Sequence, residues 1–251
     1  TSSYKAVEDY SNLLKGDLKG KKIGILKNVI DSIQVVETKD LFNDLITKLK
    51  AQGAEIINIS LKDELMHAFL PTYYIIANAE ATANHSNLDG LRFGVAKEGT
   101  NIEEVMTASR TSGFGPLLRK RFVIGSYALF IENQEKIVRK AQKVRRLIVE
   151  DLNRAFNECD VLIAPASAQG APKIGDNSAD QLSSEYLIAE NFMALANFAG
   201  TPSITVPMGF VANLPIGVNI NAKAFEEAKL LDIAYGFEKI CGLNDQVKEP
   251  K

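Results

Sequence analysis

The run from Asp160 to Lys223 constrains the fold more than any other part of this 251-residue chain. It contains three short apolar stretches, which Pro and Gly separate: DVLIAPASAQGAPKIGD, ENFMALANFAGTPSITVPM and LPIGVNINAK. A helix of small residues is predicted between the first two strands, from Glu190 to Ala199. Apolar stretches of this kind are typical of strands that are buried on both faces between helices. The run therefore predicts buried strands at the centre of an α/β domain.

A strand–helix–strand pattern near the start of the chain agrees with this prediction. Residues 21–26 (KKIGIL) and 54–60 (AEIINIS) are strand-like, and the leucines at 41, 45 and 49 mark one face of a helix between them. Such a unit implies parallel pairing through a right-handed crossover. The sequence predicts one domain over residues 1–251, α/β in class, with a mixed, largely parallel sheet flanked by helices on both sides.

The segments between these strands are predicted to be mostly helical. Apolar periodicity and capping signals indicate helices over 63–84, 101–113, 116–131, 133–157 and 225–241. Pro71 is expected to open a second helix within the first of these segments. Residues 85–100 are predicted to form a loop.

Composition excludes several classes of protein. The net charge is −2 and the pI about 5.8, so binding of nucleic acid by bulk electrostatic attraction is not expected. No apolar run reaches the length of about 18 residues that a membrane span needs. The two cysteines, Cys159 and Cys241, lack CxxC spacing and are typical of free thiols in a reducing cytoplasm.

Common catalytic signatures are missing from these residues. The sequence contains no GxSxG elbow, no HExxH motif, no phosphate-binding GxxxxGK[ST] loop and no GxGxxG motif. We therefore assign no catalytic residue and no metal ligand to this chain.

Three polar residues lie where the pattern is otherwise apolar. Tyr73 lies in the helical run TYYIIANAEA, Arg121 immediately precedes FVIG, and Glu190 begins the small-residue helix. Each of them alone is more often structural. Together an arginine, a carboxylate and a phenol could bind an amino acid: the arginine pairs with the α-carboxylate, the acid with the α-ammonium group, and the hydroxyl refines the geometry.

Several long segments resemble the amidase-signature enzymes, and among them the glutaminase subunits of glutamyl-tRNA(Gln) amidotransferases. They are YYIIANAEATANHSNLDGLRFG, SRTSGFGPLLRKRFVIGSYAL, KAQKVRRLIVEDLNRAF and the three stretches of the first paragraph. The resemblance extends from KGKKIGILK to the last helix and implies part of the family's α/β/α fold. It also implies that a Tyr, an Arg and an Asp hold the substrate glutamine, at the positions of Tyr73, Arg121 and Glu190. Glu replaces the family's Asp at 190, which moves the carboxylate by about 1.5 Å.

The family's catalytic Lys–Ser–Ser triad has no counterpart in these residues. The resemblance implies a serine nucleophile in a loop rich in Gly and Ser, and no such loop occurs here. The residues Thr1, Ser2 and Ser3 resemble a family segment that follows the nucleophile. We therefore expect this chain to correspond to the C-terminal half of the family domain, to supply a wall of the substrate site and to be inactive alone.

The resemblance implies a role in tRNA-dependent amidation. The expected activity is hydrolysis of glutamine to ammonia, which the B and C subunits of a cytoplasmic heterotrimer, the partners of this chain, use to amidate Glu-tRNA(Gln). ATP and magnesium would be used by one of these partners, which would also hold most of the tRNA; no cofactor is expected in this chain. The alternatives are another amidase of the same family and a non-catalytic fragment that acts as a binding or assembly module.

An exposed surface is also expected if this half stands alone. An unpaired sheet edge or an uncovered apolar face is predicted beside the strands at Ile204–Val206 and Ile216–Ile220 and the helix that begins at Glu190, and it would promote self-association.

Overall fold

The computed structural model describes residues 5, 8–171, 194–243 and 246 of the chain. These residues form two compact units. The sheet unit spans Thr1–Met66 and Ile148–Lys251, and the helical unit spans His67–Leu147.

The sheet unit is built on five strands in the order β2-β1-β3-β5-β4. The strands are β1 (Lys22–Leu26), β2 (Glu55–Ile59), β3 (Val161–Pro165), β4 (Ser203–Val211) and β5 (Leu214–Ala222). Strand β1 pairs in parallel with β2 and β3, whereas β5 pairs antiparallel with β3 and β4. The prediction of a mixed α/β sheet is confirmed, with parallel and antiparallel pairings in equal number.

Helices connect and cover these strands. They are α1 (Lys27–Ser32), α2 (Val36–Ala51), α3 (Asp63–Asn84), α4 (Ile102–Gly113), α5 (Pro116–Leu129), the short α6 (Ile131–Asn133), α7 (Lys140–Ala155), α8 (residues 194–199) and α9 (Glu227–Cys241). A π-helical segment, Gln134–Arg139, joins α6 to α7. The predicted βαβ unit is confirmed as β1, α2 and β2, and the periodicity gave no indication of the short helix α1.

The main core lies on one face of the sheet. Helices α2 and α9 bury Phe42, Leu49 and Phe237 against Ile163 and Val218 of the central strands. The opposite face carries Leu162 and Leu26, which line a cavity together with Leu152 of α7, Phe156 just after it and Leu195 of α8. Alternating side chains of the strands thus point to two helical layers, as the apolar, non-alternating stretches predict.

A tight hairpin joins β4 to β5. Its two-residue loop, Ala212 and Asn213, has positive φ at both positions (49° and 64°), the geometry of a type I′ turn. Strand β4 is at one edge of the described sheet, and its register shifts between Pro207 and Gly209. A proline is tolerated there because an edge strand does not need every N–H.

Of the two strands expected beside an unpaired edge, only β4 is an edge strand of the described sheet, and the uncovered apolar face and the self-association stay predictions. Residues Ile204–Val206 lie on the edge strand β4, whereas Ile216–Ile220 lie on β5, between β3 and β4. The antiparallel hairpin places β5 inside the sheet.

The helical unit begins within α3. Pro71 lies inside this helix and does not divide it, contrary to the prediction of a second helix. The helix accommodates the proline because its fixed φ is helical and only one backbone hydrogen bond is removed. The predicted start of α4 is confirmed: the side chain of Asn101 accepts a hydrogen bond from the Glu104 amide at 2.9 Å.

Candidate functional site

Two of the three residues predicted to bind substrate lie on neighbouring helices of the helical unit. Tyr73 lies on α3 and Arg121 on α5, and both are half-buried. Glu190, the third predicted residue, lies outside the described residues. The described part of the candidate site is therefore a contact between α3 and α5.

Tyr74 connects the two predicted residues. The Arg121 guanidinium carbon lies 5.6 Å from the centre of the Tyr74 ring, within the range of a cation–π contact. The Tyr73 ring lies edge-on to the Tyr74 ring, with centroids 5.9 Å apart and planes inclined by 62°. We call Tyr73, Tyr74 and Arg121 the tyrosine–arginine cluster. The sequence analysis missed Tyr74, although the paired tyrosines of TYYIIANAEA were a signal for it.

A close approach of the two helices fixes the cluster. A Cβ atom at Gly125 of α5 would collide with the Asn78 carbonyl and the Thr82 side chain of α3. The Thr82 hydroxyl also donates a hydrogen bond to the Phe122 carbonyl at 3.4 Å. Gly125 lies one helical turn from Arg121, and Asn78 lies one turn from Tyr74. This close contact between α3 and α5 is thus adjacent to the cluster.

Arg121 is available to bind an anion. Among the described residues it forms no ion pair and no hydrogen bond, and its contact is with the Tyr74 ring. A guanidinium group presents its N–H donors as a planar fork that matches a carboxylate. A half-buried arginine of this kind can bind the carboxylate of a ligand without first breaking an ion pair to a described residue.

A second arginine anchors the loop that follows α3. The Arg110 guanidinium donates to the His85 carbonyl at 2.7 Å and to the Leu88 carbonyl at 3.1 Å. It also lies 5.0 Å from the centre of the Phe114 ring and 5.4 Å from that of Phe122. These contacts attach residues 85–88 to α4 and α5, so the role of Arg110 is structural.

The Asp89 carboxylate organises the next turn. It accepts hydrogen bonds from the backbone amides of Arg92 at 2.8 Å and Leu91 at 2.9 Å, and these bonds hold its pKa below the ordinary value of 3.8. Gly90 has a φ of +80°, and a side chain there would collide with Ser109. Asp89 and Gly90 of the family-like sequence DGLRFG therefore favour a tight turn against α4.

This turn forms one wall of an open cavity of about 420 Å³. The opposite wall is the end of α4 with the segment after it, and neither Tyr73 nor Arg121 contributes to the lining. The lining residues are Leu88, Gly90, Gly94, Val95, Lys97, Ser109, Ser112, Gly113 and Phe114. The cavity is thus distinct from the tyrosine–arginine cluster.

The sheet unit carries a buried polar row on β4 and β5. The Asn219 amide donates to Ser203 Oγ at 3.0 Å and to Thr205 Oγ1 at 3.1 Å, and Asn221 donates to Asn219 Oδ1 at 2.6 Å. Both asparagines are buried, and these bonds replace part of those lost to water, since Asn221 Oδ1 has no hydrogen-bond partner among the described residues. The row was not predicted; its signal is the alternation of asparagine with apolar residues in VNINA.

Other chemistry receives no support in the described part of the chain. Burial raises the pKa of the Cys159 thiol to about 12, so it stays protonated at neutral pH. Cys241 is also a free thiol, and burial raises its pKa too. No three His, Cys, Asp or Glu side chains among the described residues are grouped to bind a metal ion. None of the described helices has the length and apolar character needed to cross a membrane.

Comparison with known proteins gives the relatives of this chain. The A subunit of glutamyl-tRNA(Gln) amidotransferase from Caldanaerobacter subterraneus is 38% identical over 232 residues, which are 92% of this chain and 47% of that protein. Its counterpart from Pseudomonas fluorescens is 37% identical over 239 residues, 95% of this chain and 49% of that protein. The matched part is the C-terminal half of these proteins. The chain therefore spans about half the length of the curated relatives it matches.

Solved structures and a family model agree with these relatives. The A subunit of the Thermotoga maritima amidotransferase matches with a TM-score of 0.67 and 29% identity, over 90% of this chain and 44% of that one. Peptide amidase from Stenotrophomonas maltophilia matches with a TM-score of 0.69 and 22% identity, over 95% of this chain and 47% of that one, and shares the fold. The family model described as Amidase matches residues 1–231. This chain therefore belongs to the amidase family, whose signature motifs its sequence resembles.

Proposed function

We propose that this chain is the substrate-binding half of the glutaminase subunit of a glutamyl-tRNA(Gln) amidotransferase. The observation that carries the proposal is the half-buried Arg121, held against Tyr74 beside Tyr73 and without an ion pair to any described residue. A half-buried arginine without such an ion pair favours a substrate with a free carboxylate, such as glutamine, over an amide that has none. The likeness to the matching subunits of these amidotransferases supports the same substrate.

Each residue has a distinct proposed role. Arg121 binds the α-carboxylate of glutamine through two parallel N–H···O bonds. Tyr73 contributes its hydroxyl to the substrate, and Glu190 pairs with the α-ammonium group. The longer side chain of Glu190, compared with the family's Asp, requires the ammonium to bind about 1.5 Å farther from the main chain or the side chain to bend.

The bond-breaking chemistry is assigned elsewhere. These 251 residues contain no Gly- and Ser-rich loop of the family type, so the nucleophile and its Lys–Ser partners are proposed to come from the part of the family's polypeptide that this chain does not match. Ammonia would pass to the B and C subunits in the cytoplasm. One of these partners would bind ATP, magnesium and most of the tRNA.

The test separates glutamine binding from ammonia transfer. In the assembled enzyme, Arg121→Ala should raise the KM for glutamine by about 10- to 150-fold, because a charge-assisted contact is lost. Amidation with added ammonium salt should remain near the wild-type rate, since free ammonia does not need the glutamine site. The matched control is Arg119→Ala, an exposed arginine of the same helix.

Two results would reject the proposal. If both the glutamine-dependent and the ammonia-dependent reaction fell equally, Arg121 would be structural. If the wild-type enzyme hydrolysed another amino-acid amide and ignored glutamine, the chain would belong to a different amidase.

A further inference from the structure

We propose that Tyr74 is a positioning residue that holds the Arg121 guanidinium ready for the substrate carboxylate. The inference rests on the proposed function for its consequence in binding, but the contact between the two side chains is independent of any substrate. The geometry that carries it is the 5.6 Å separation between the Arg121 guanidinium carbon and the Tyr74 ring centre.

An aromatic ring suits this task better than a carboxylate would. The ring attracts the cation through its π-face and occupies none of the N–H donors in the plane of the guanidinium. A neighbouring carboxylate would neutralise the arginine and compete with the α-carboxylate of the substrate. Since Arg121 has no ion pair to a described residue, the Tyr74 ring restrains its long side chain without blocking it.

Tyr74 is itself restrained. The Tyr73 ring meets it edge-on at 5.9 Å, and α3 is held against α5 where Gly125 contacts Asn78 one turn away. A restrained arginine loses less rotational freedom when a ligand binds, so affinity rises without a new contact to the ligand. Tyr74 is thus expected to act on glutamine through Arg121.

The first experiment needs no substrate. In the 251-residue chain, NMR of the arginine side chains would follow the Nε–Hε signal of Arg121, assigned with Arg121→Lys. Tyr74→Phe should keep its ring-current shift, because the π-face remains. Tyr74→Leu should move the signal to the position of exposed arginines, and the control Tyr127→Leu, an exposed tyrosine of α5, should leave it unchanged.

The second experiment measures the consequence in the assembled enzyme. Tyr74→Leu should raise the KM for glutamine by about 2- to 30-fold with little change in kcat, and Tyr74→Phe should restore most of the loss. The proposal is overturned if Tyr74→Leu leaves the Arg121 signal unchanged, or if Tyr74→Phe behaves like Tyr74→Leu. If the signal moves but glutamine kinetics do not, Tyr74 still positions Arg121, and it is the assignment of glutamine to Arg121 that fails.

Discussion

The sheet unit and the helical unit differ in how much of their large apolar side chains they bury. In the sheet unit, Phe42, Ile163 and Phe237 are almost fully buried in one continuous cluster. The helical unit buries few large apolar side chains, mainly Phe69 and Phe122, and exposes many others. The exposed members are Leu117, Val123, Ile124 and Tyr127 on α5, Phe130 between the two helices, and Ile131 on α6. The sheet unit therefore has the larger apolar core, and the helical unit the smaller one.

This difference predicts that core substitutions in the sheet unit will affect global stability and that the loss of a polar anchor in the helical unit will affect local structure. The candidate site lies in the unit with the smaller apolar core, where a few polar anchors such as Arg110 set the geometry. Loss of one anchor there should change local structure more than global stability.

The largest expected effect is in the core of the sheet unit. Phe42, which is 1% exposed, contacts the central cluster, and Phe42→Ala should lower the free energy of unfolding by about 3–5 kcal/mol. The control is Phe93→Ala in the helical unit, where the side chain is 60% exposed and the change should stay within about 0.5 kcal/mol. Denaturant unfolding followed by circular dichroism would measure both. Equal losses would contradict the contrast between the units.

The next effect concerns Arg110 in the helical unit. Arg110→Met removes charged hydrogen bonds to the His85 and Leu88 carbonyls and should cost about 1.5–3 kcal/mol locally. Hydrogen exchange should therefore accelerate at the Leu91 and Lys97 amides, while the sheet strands keep their protection. Arg119→Met is the matched control, because Arg119 is exposed. Faster exchange throughout the sheet would show that the two units do not respond separately.

A third expectation addresses the exposed apolar side chains. Val123 and Tyr127 lie four residues apart on α5 and are 70% and 57% exposed, and Ile131 of α6 is 88% exposed. Replacing all three by Ser should reduce hydrophobic-dye binding and self-association in sedimentation, because it removes exposed apolar side chains. Val36→Ser, at a 63% exposed site in the sheet unit, should change neither. A wild-type chain that stays monomeric and binds no dye would contradict the expectation.

The smallest effect is a dependence on pH at Asp89. Hydrogen bonds from the Arg92 and Leu91 amides lower the pKa of this carboxyl in the folded state below 3.8. The Asp89 carboxylate then binds a proton more readily in the unfolded chain than in the folded one. The turn therefore keeps its full stability above pH 3.8 and loses it as the pH falls through the folded-state pKa. NMR shifts of the two amides between about pH 6 and about pH 2 should show a midpoint below 3.8, absent in Asp89→Asn. A midpoint above 3.8 would mean that folding raises the pKa of the Asp89 carboxyl, which would contradict this prediction.

The sequence predicted the helices and strands whose burial leaves a periodic or continuous apolar pattern. Leucines 41, 45 and 49 predicted α2, and the stretches around Val161 and Val218 predicted buried strands, because burial leaves a repeating apolar pattern. The pairing order was harder to predict. The antiparallel hairpin at Ala212 and Asn213 has no strong local signal, since its loop lacks the Asn-Gly pair, and nothing local indicates that β5 lies between β3 and β4.

The candidate site was predicted in part for a different reason. Tyr73 and Arg121 were identified through family motifs, and the structure places them on neighbouring helices. Tyr74 and Arg110 were missed because their contacts join residues dozens of positions apart, and no periodic pattern records such contacts. Glu190 stays a prediction, since it lies outside the described residues.

The central claim is that Arg121 binds the α-carboxylate of glutamine, and a substrate comparison tests it most directly. The assembled enzyme and its Arg121→Met variant would each be assayed for ammonia release from L-glutamine and from 4-aminobutanamide, which is glutamine without its α-carboxylate. We predict that Arg121→Met lowers kcat/KM for glutamine by about 10- to 150-fold and leaves the value for 4-aminobutanamide nearly unchanged, so the variant loses its preference for the carboxylate. An equal fall for both substrates would contradict the claim, because Arg121 would then act on the structure of the site and not on the carboxylate.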